Sequence, residues 1–178
     1  MSTKKKHTRS PAVTALLWVL LVAYLLLLFR VILFKFPIRT VLDILMDKDE
    51  LEFTRVNLIP FQTIRFYLFS GRVSFIVAAR NILGNILAFV PLGILIPLIR
   101  RKLSVVFTLL TALAISASIE LTQLYTGLGS CDVDDLILNV FGAMLTCLVL
   151  SSLDIITYLV KTLIKKCVQA IDKATKKR

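Results

Sequence analysis

The sequence NILGNILAFVPLGILIPLI, residues 81–99, contains no charged side chain. An α-helix rises about 1.5 Å per residue, so about 20 apolar residues cross a hydrocarbon core of roughly 30 Å. The stretch is therefore long enough to span a membrane as one helix. Its glycines and prolines predict a kinked helix that packs closely against neighbouring helices.

Three further stretches carry almost no charge. Residues 11–29 contain none, residues 103–131 contain only Glu120, and residues 136–160 contain only Asp154. Hydrophobic residues make up 57% of the 178-residue chain, and a soluble fold of this size could not cover four such segments on every side. We therefore predict an all-α, polytopic membrane protein with about four transmembrane helices. The predicted spans are residues 11–33, 81–99, 103–125 and 136–160.

Lys and Arg are distributed unevenly between these spans. The N-terminal tail, residues 1–10, has four of them, the link of residues 100–102 has three, and residues 161–178 have seven. The connection of residues 30–80 has eight, and the link of residues 126–135 has none. Because basic residues stay in the cytoplasm and long connections cross largely regardless of charge, both termini are predicted to be cytoplasmic. The net charge of +11 then reflects membrane topology and attraction to anionic lipid, and no nucleic-acid partner is expected.

Three segments are predicted to lie at the membrane surface. Residues 61–79 are apolar but contain Arg65 and Arg72, and each Arg at the centre of a span costs about 2.5–3.5 kcal/mol on insertion scales. An outer interfacial or re-entrant segment is therefore predicted there. Residues 161–178 have the apolar spacing of an amphipathic helix on an anionic surface, with a solvated basic tail as the alternative. A short surface helix is predicted at residues 42–53.

Polar residues of the second and third spans lie near their predicted outer ends. Asn81 and Asn85 are one turn apart at the start of the second span. Glu120 lies roughly 26 Å along the third span, and Gln123 shares its face. An ionisable residue within a membrane is costly, so Glu120 is a functional candidate that needs a partner. The candidate partners are the arginines of the outer connection, Arg65, Arg72 and Arg80.

The external link adds polar groups at the same depth. Asp132, Asp134 and Asp135 occupy the link, Asn139 lies one turn beyond Asp135, and Asn57 lies in the outer connection. These groups predict one polar site at the outer face. The alternative is structural, because Asp often caps helix N-termini and Asn and Gln often join transmembrane helices. The predicted substrate-binding residues are Asn57, Asn81, Asn85, Glu120, Gln123, Asp132, Asp135 and Asn139.

Missing motifs exclude several kinds of chemistry. The chain has no Walker A loop, no H-E-x-x-H, no G-x-S-x-G and no histidine in a predicted span. The cysteines lack metal-ligand spacing and the acids lack EF-hand spacing, so neither a metal nor a cofactor is expected. If the site were catalytic, Glu120 and Asp135 would be its acid–base candidates.

Motifs in a fixed order resemble the VanZ-like family: NLIPF at residues 57–61, NILGNILAFVPLG at residues 81–93, IELTQ at residues 119–123 and DVDDLILNVFG at residues 132–142. The resemblance covers about residues 50–150 and implies a multi-pass protein of the bacterial plasma membrane and cell envelope. Some members of the family lower sensitivity to teicoplanin, a lipid-tailed glycopeptide that acts outside the cell. Many members also carry an arginine shortly before the first aspartate of the link. Gly129 and Ser130 occupy that region here, so no role of that arginine transfers.

The leading functional hypothesis is a non-enzymatic membrane protein that modulates susceptibility to lipoglycopeptide antibiotics of the teicoplanin type through the outer polar site. Two alternatives stay open: an enzyme that modifies a lipid or lipid-linked cell-wall precursor, and a small oligomeric transporter of lipid or drug. The expected partners are membrane lipids together with a lipid-linked precursor or a lipoglycopeptide. Homo-oligomerisation is left open.

Overall fold

The computed structural model describes residues 10–33, 56–100, 104–127 and 129–175. Four helices in this part of the chain are long and apolar enough to cross a membrane, and the prediction of an all-α polytopic membrane protein is confirmed. The surface helix predicted at residues 42–53 lies outside the described residues. In chain order the elements are α1 Pro11–Leu33, β1 Val56–Asn57, α2 Gln62–Phe69, α3 Phe75–Arg100, α4 Ser104–Thr126, β2 Cys131–Asp132 and α5 Val133–Thr175.

Helices α3 and α5 run parallel and approach each other closely through two glycines. The Cα of Gly93 faces the backbone of Ala143, and the Cα of Gly142 faces the carbonyl of Ile86. A Cβ added at either glycine would collide with a carbonyl oxygen of the other helix. Lipid tails are as apolar as leucine, so close packing rather than apolar burial holds membrane helices together, and small residues permit it.

Helix α4 packs antiparallel to α5 through residues that recur every fourth position. Asn139 on α5 donates a side-chain hydrogen bond to the hydroxyl of Ser116 on α4 at 3.0 Å. Because the helices are antiparallel, Glu120, one turn further along α4, lies level with Asp135, one turn earlier on α5. Buried members of the two facing stripes are Thr108, Ala112, Ser116, Glu120, Asn139, Ala143 and Cys147.

Helix α1 packs against another side of α3. Leu21 and Leu28 are buried in the same apolar cluster as Phe89 and Leu92. Between them, the Tyr24 hydroxyl donates to the carbonyl of Ala88 at 2.8 Å. A buried Tyr hydroxyl needs such an acceptor, and this bond fixes the register of α1 on α3.

Two element boundaries differ from the predicted spans. Helix α3 begins at Phe75 rather than at residue 81, because the Ser74 hydroxyl accepts the N–H of Val77 at 3.4 Å and acts as an N-cap. The preceding α2 is about 12 Å long, too short to cross a bilayer. Helix α5 continues to Thr175 without a break at residue 160, since no Gly or Pro follows Gly142 in the chain.

Candidate functional site

Asp132 ties the segment before α2 to the start of α5. Its Oδ1 accepts hydrogen bonds from the side-chain amide of Asn57 at 3.1 Å and from the N–H of Asp134 at 2.9 Å. Its Oδ2 accepts from the Thr63 hydroxyl at 2.6 Å. The backbones of Asn57 and Asp132 also pair as neighbouring strands. All three donors are uncharged. By accepting their hydrogen bonds, the buried carboxylate of Asp132 joins the segment before α2 to the start of α5.

Asp134 supplies the N-terminal cap of α2 from a different helix. Its two oxygens accept the N–H groups of Phe61 at 2.5 Å and of Ile64 at 3.0 Å. Phe61 occupies the N-cap position in the left-handed conformation, with φ of 66°, and provides no side-chain cap. That conformation is rare for a bulky residue, so the two hydrogen bonds to Asp134 help to hold it. A carboxylate there also complements the positive end of the helix dipole.

Glu120 is buried and contacts the backbone of the link between α4 and α5. Its Oε2 accepts the N–H of Asp132 at 2.8 Å, and the side chain is only 5% exposed. The predicted arginine partners Arg65, Arg72 and Arg80 are all exposed. The described contact of this buried carboxylate is thus with the peptide backbone of the link, which fits a structural use of Glu120.

Asp135, Asn85 and Tyr67 form a second, more open group, which we call the rim triad. The Asn85 side-chain amide donates to Asp135 Oδ1 at 2.5 Å, which joins α3 to α5. All three residues are half-buried. Burial raises the pKa of the Tyr67 hydroxyl, and the negative charges of Asp135 and then Asp132 raise this pKa further. The phenol therefore stays protonated and can donate a hydrogen bond beside a carboxylate.

The interior below the rim triad is polar but closed. Asn139 is 2% exposed, and its Oδ1 has no hydrogen-bond partner among the described residues. Gln123 is also buried, and its side chain lies against the backbone of Gly129. Asn139 joins α5 to α4 through Ser116, as Asn often does within membranes, whereas Gln123 packs against the link. Asn81 is exposed instead, and its amide donates to the carbonyl of Val77 on its own helix at 2.9 Å.

The structure thus divides the predicted site residues by role. Asn57, Asp132 and Glu120 belong to a hydrogen-bonded brace, which also includes Asp134 and Thr63. Asn85 and Asp135 belong to the rim triad, Gln123 and Asn139 are interior, and Asn81 lies apart. Tyr67 was missed by sequence reasoning, since only burial and its proximity to the charges of Asp135 and Asp132, far along the chain, distinguish it from the other aromatic residues of α2.

The rim triad can hold a polar group through uncharged and anionic hydrogen-bonding atoms. The described residues contain no cluster of three or more His, Cys, Asp or Glu side chains suited to a metal ion. A carboxylate, an amide and a protonated phenol would instead suit hydroxyl, amide or ammonium groups. Glu120, level with Asp135, lies about 9 Å from the end of α4. The rim triad therefore lies close to one end of the spanning helices, and the end of a spanning helix is where headgroups border acyl chains.

Four membrane-spanning helices, with a braced polar rim at one end, define a small multi-pass helical membrane protein. Within that class, the chain belongs to the VanZ/LLP1 family, whose model matches residues 21–156. The match extends from the middle of α1 to beyond the middle of α5 and includes every residue of the brace and the rim triad. No curated protein and no solved structure matches the chain significantly.

Proposed function

We propose that this protein modulates susceptibility to lipid-tailed glycopeptide antibiotics of the teicoplanin type, from the outer leaflet of the bacterial plasma membrane. Membership of the VanZ/LLP1 family supports a role of this kind. The observation that carries the proposal is the half-buried pair of Asp135 and Asn85 close to one membrane surface. A lipid-tailed molecule buries its chain in the bilayer and presents its polar head at that depth.

The division between brace and rim triad favours binding over acid–base catalysis. Glu120 is one of the two carboxylates that an enzyme would need, but it is buried and accepts the N–H of Asp132. A general acid or base must reach the substrate proton directly or through one water. Asp135 with Asn85 and Tyr67 is sufficient for recognition of a polar headgroup.

We expect expression in a susceptible Gram-positive host to raise tolerance to teicoplanin more than to vancomycin. Teicoplanin has a lipid tail and vancomycin does not, and an acyl chain gains about 0.8 kcal/mol of membrane affinity per buried CH₂. A site at the membrane surface therefore acts on the tailed drug. The measurement is the minimal inhibitory concentration of both drugs, with membrane expression quantified. Equal protection against both drugs would indicate an altered peptide target and contradict the proposal, as would no protection at all.

The proposed orientation has its own test. In a chain whose native cysteines are replaced by serine, Ser130→Cys is expected to react with a membrane-impermeant maleimide applied to intact cells, because Ser130 is exposed beside the rim. Cys131 is a poor reporter, since burial and the charges of Glu120 and Asp132 raise the pKa of its thiol. A chain that retains only Cys167, which is exposed towards the other end of α5, is the control and should react only after lysis. The reverse labelling pattern would show that the opposite topology is correct.

A further inference from the structure

Helix α5 extends far beyond the other three spanning helices. Gly93 lies beside Ala143 in the parallel α3–α5 pair, so Arg100 at the end of α3 lies level with Leu150. Helix α5 nevertheless continues to Thr175, a further distance of about 37 Å at the helical rise. Among the described side chains of α5, Cys147 is the last buried one. Within the described part of the chain, the residues after Leu150 therefore have no other helix packed over them.

This extension is amphipathic. Lys161 and Lys165 lie on one side of the helix and are exposed. The opposite side carries apolar side chains that are about half exposed or more, with Leu163 at 61%. The members of this apolar face are Ile156, Leu159, Val160, Leu163 and Cys167, with Ile164 at its edge. A straight continuation of α5 away from the membrane would leave this face in water, at a cost proportional to its apolar area.

Two hydroxyl groups of α5 favour a bend where the bundle ends. The hydroxyl of Ser151 donates to the carbonyl of Cys147 at 2.8 Å, and that of Ser152 donates to the carbonyl of Leu148 at 2.8 Å. A hydroxyl that bonds the carbonyl four residues back weakens the helical ladder and often bends a helix. The two serines lie level with the ends of α3 and α4, where α5 leaves the hydrocarbon core.

We propose that residues 153–175 of α5 turn at Ser151 and Ser152 and dock on the anionic lipid surface of the leaflet that borders Arg100. The apolar face then enters the boundary between headgroups and acyl chains, and Lys161 and Lys165 contact lipid phosphates. The charge of the extension favours an anionic lipid surface, rather than a second copy of the chain, as the partner of its apolar face. The sequence has seven further basic residues in the N-terminal tail and in residues 100–102, which the predicted topology assigns to the same side, so paired extensions would repel each other.

The full chain in nanodiscs tests this docking. The single native tryptophan is removed as Trp18→Phe, and a reporter is introduced as Leu163→Trp on the apolar face or Thr162→Trp on the polar face. With brominated acyl chains and phosphatidylglycerol present, we expect fluorescence at position 163 to be quenched several-fold more than at position 162. Lys161→Glu with Lys165→Glu should reduce the quenching, and Ser151→Ala with Ser152→Ala should reduce it as well.

Three results would overturn the proposal. Weak and equal quenching at both positions would mean that the extension lies in water. Quenching that is the same with phosphatidylcholine alone would remove the role of anionic lipid. Efficient disulfide formation between copies at Cys167, with little quenching at position 163, would assign the apolar face to a second copy instead. None of these measurements depends on drug tolerance. The docking of α5 and the proposed function of the rim triad are therefore tested independently.

Discussion

Gly93→Ala and Gly142→Ala are each expected to disrupt the interface between α3 and α5. The added methyl group would meet a backbone carbonyl of the other helix, which cannot move aside as a side-chain end could. Overpacking in well-packed protein interiors costs about 1–3 kcal/mol, and here it also separates the helices that carry Asn85 and Asp135. We expect melting temperatures in detergent several degrees lower than that of the unchanged protein, with reduced abundance in cell membranes.

Gly84→Ala is the matched control for both glycines. It lies in the same helix α3, but an added Cβ at this position meets nothing within 4 Å. Alanine is also the better helix former by about 0.5–1 kcal/mol, so this variant should melt at the same temperature or slightly higher. If all three variants behaved alike, the proximity of α3 and α5 through Gly93 and Gly142 would be refuted.

The spanning helices could be predicted because a bilayer imposes the same two conditions on each of them. A run such as residues 81–99 needs only length and the absence of charge, and both are visible in the sequence. The helix ends are set by local chemistry instead. The capping hydroxyl of Ser74 starts α3 before its uncharged run begins, and the Arg80 side chain is tolerated because it is exposed near the surface.

The division of the polar residues by role could not be predicted, because it depends on contacts between distant segments. Periodicity identified Glu120, Asp132 and Asp135 as candidates at one depth, but it could not say which carboxylate accepts from which donor. Asp134 caps a helix that lies more than 60 residues earlier in the chain, at Phe61 and Ile64. The structural alternative considered for the link thus describes Asp132 and Asp134, whereas Asp135 is the carboxylate left half-buried at the rim.

The brace and the rim triad should respond differently when a carboxylate is removed. Asp134→Ala leaves the N–H groups of Phe61 and Ile64 without their acceptor, and the loss of each part-buried hydrogen bond costs about 0.5–1.5 kcal/mol. This variant should therefore have a lower melting temperature and a lower abundance in membranes than the unchanged protein. Any loss of drug tolerance in it would follow from the smaller amount of folded protein.

Asp135→Asn is expected to abolish teicoplanin tolerance while abundance and melting temperature stay close to those of the unchanged protein. The substitution keeps the size of the side chain, and the Asn carbonyl oxygen can still accept from the Asn85 amide. What it removes is the negative charge beside Tyr67, and with it a charge-assisted hydrogen bond to a bound polar head, which is roughly twice as strong as a neutral one. The measurement is the minimal inhibitory concentration of teicoplanin at matched membrane expression.

Asp154→Asn is the matched control for this change. Asp154 is a carboxylate of the same helix α5, but it is exposed and lies beyond the end of the bundle. Its replacement removes the same charge from the chain without touching the rim triad, so tolerance should be unaffected. Full tolerance in Asp135→Asn would show that the carboxylate takes no part in the function. Equal losses in Asp135→Asn and Asp154→Asn would mean that net charge, rather than the rim triad, determines the effect of this protein on the drug.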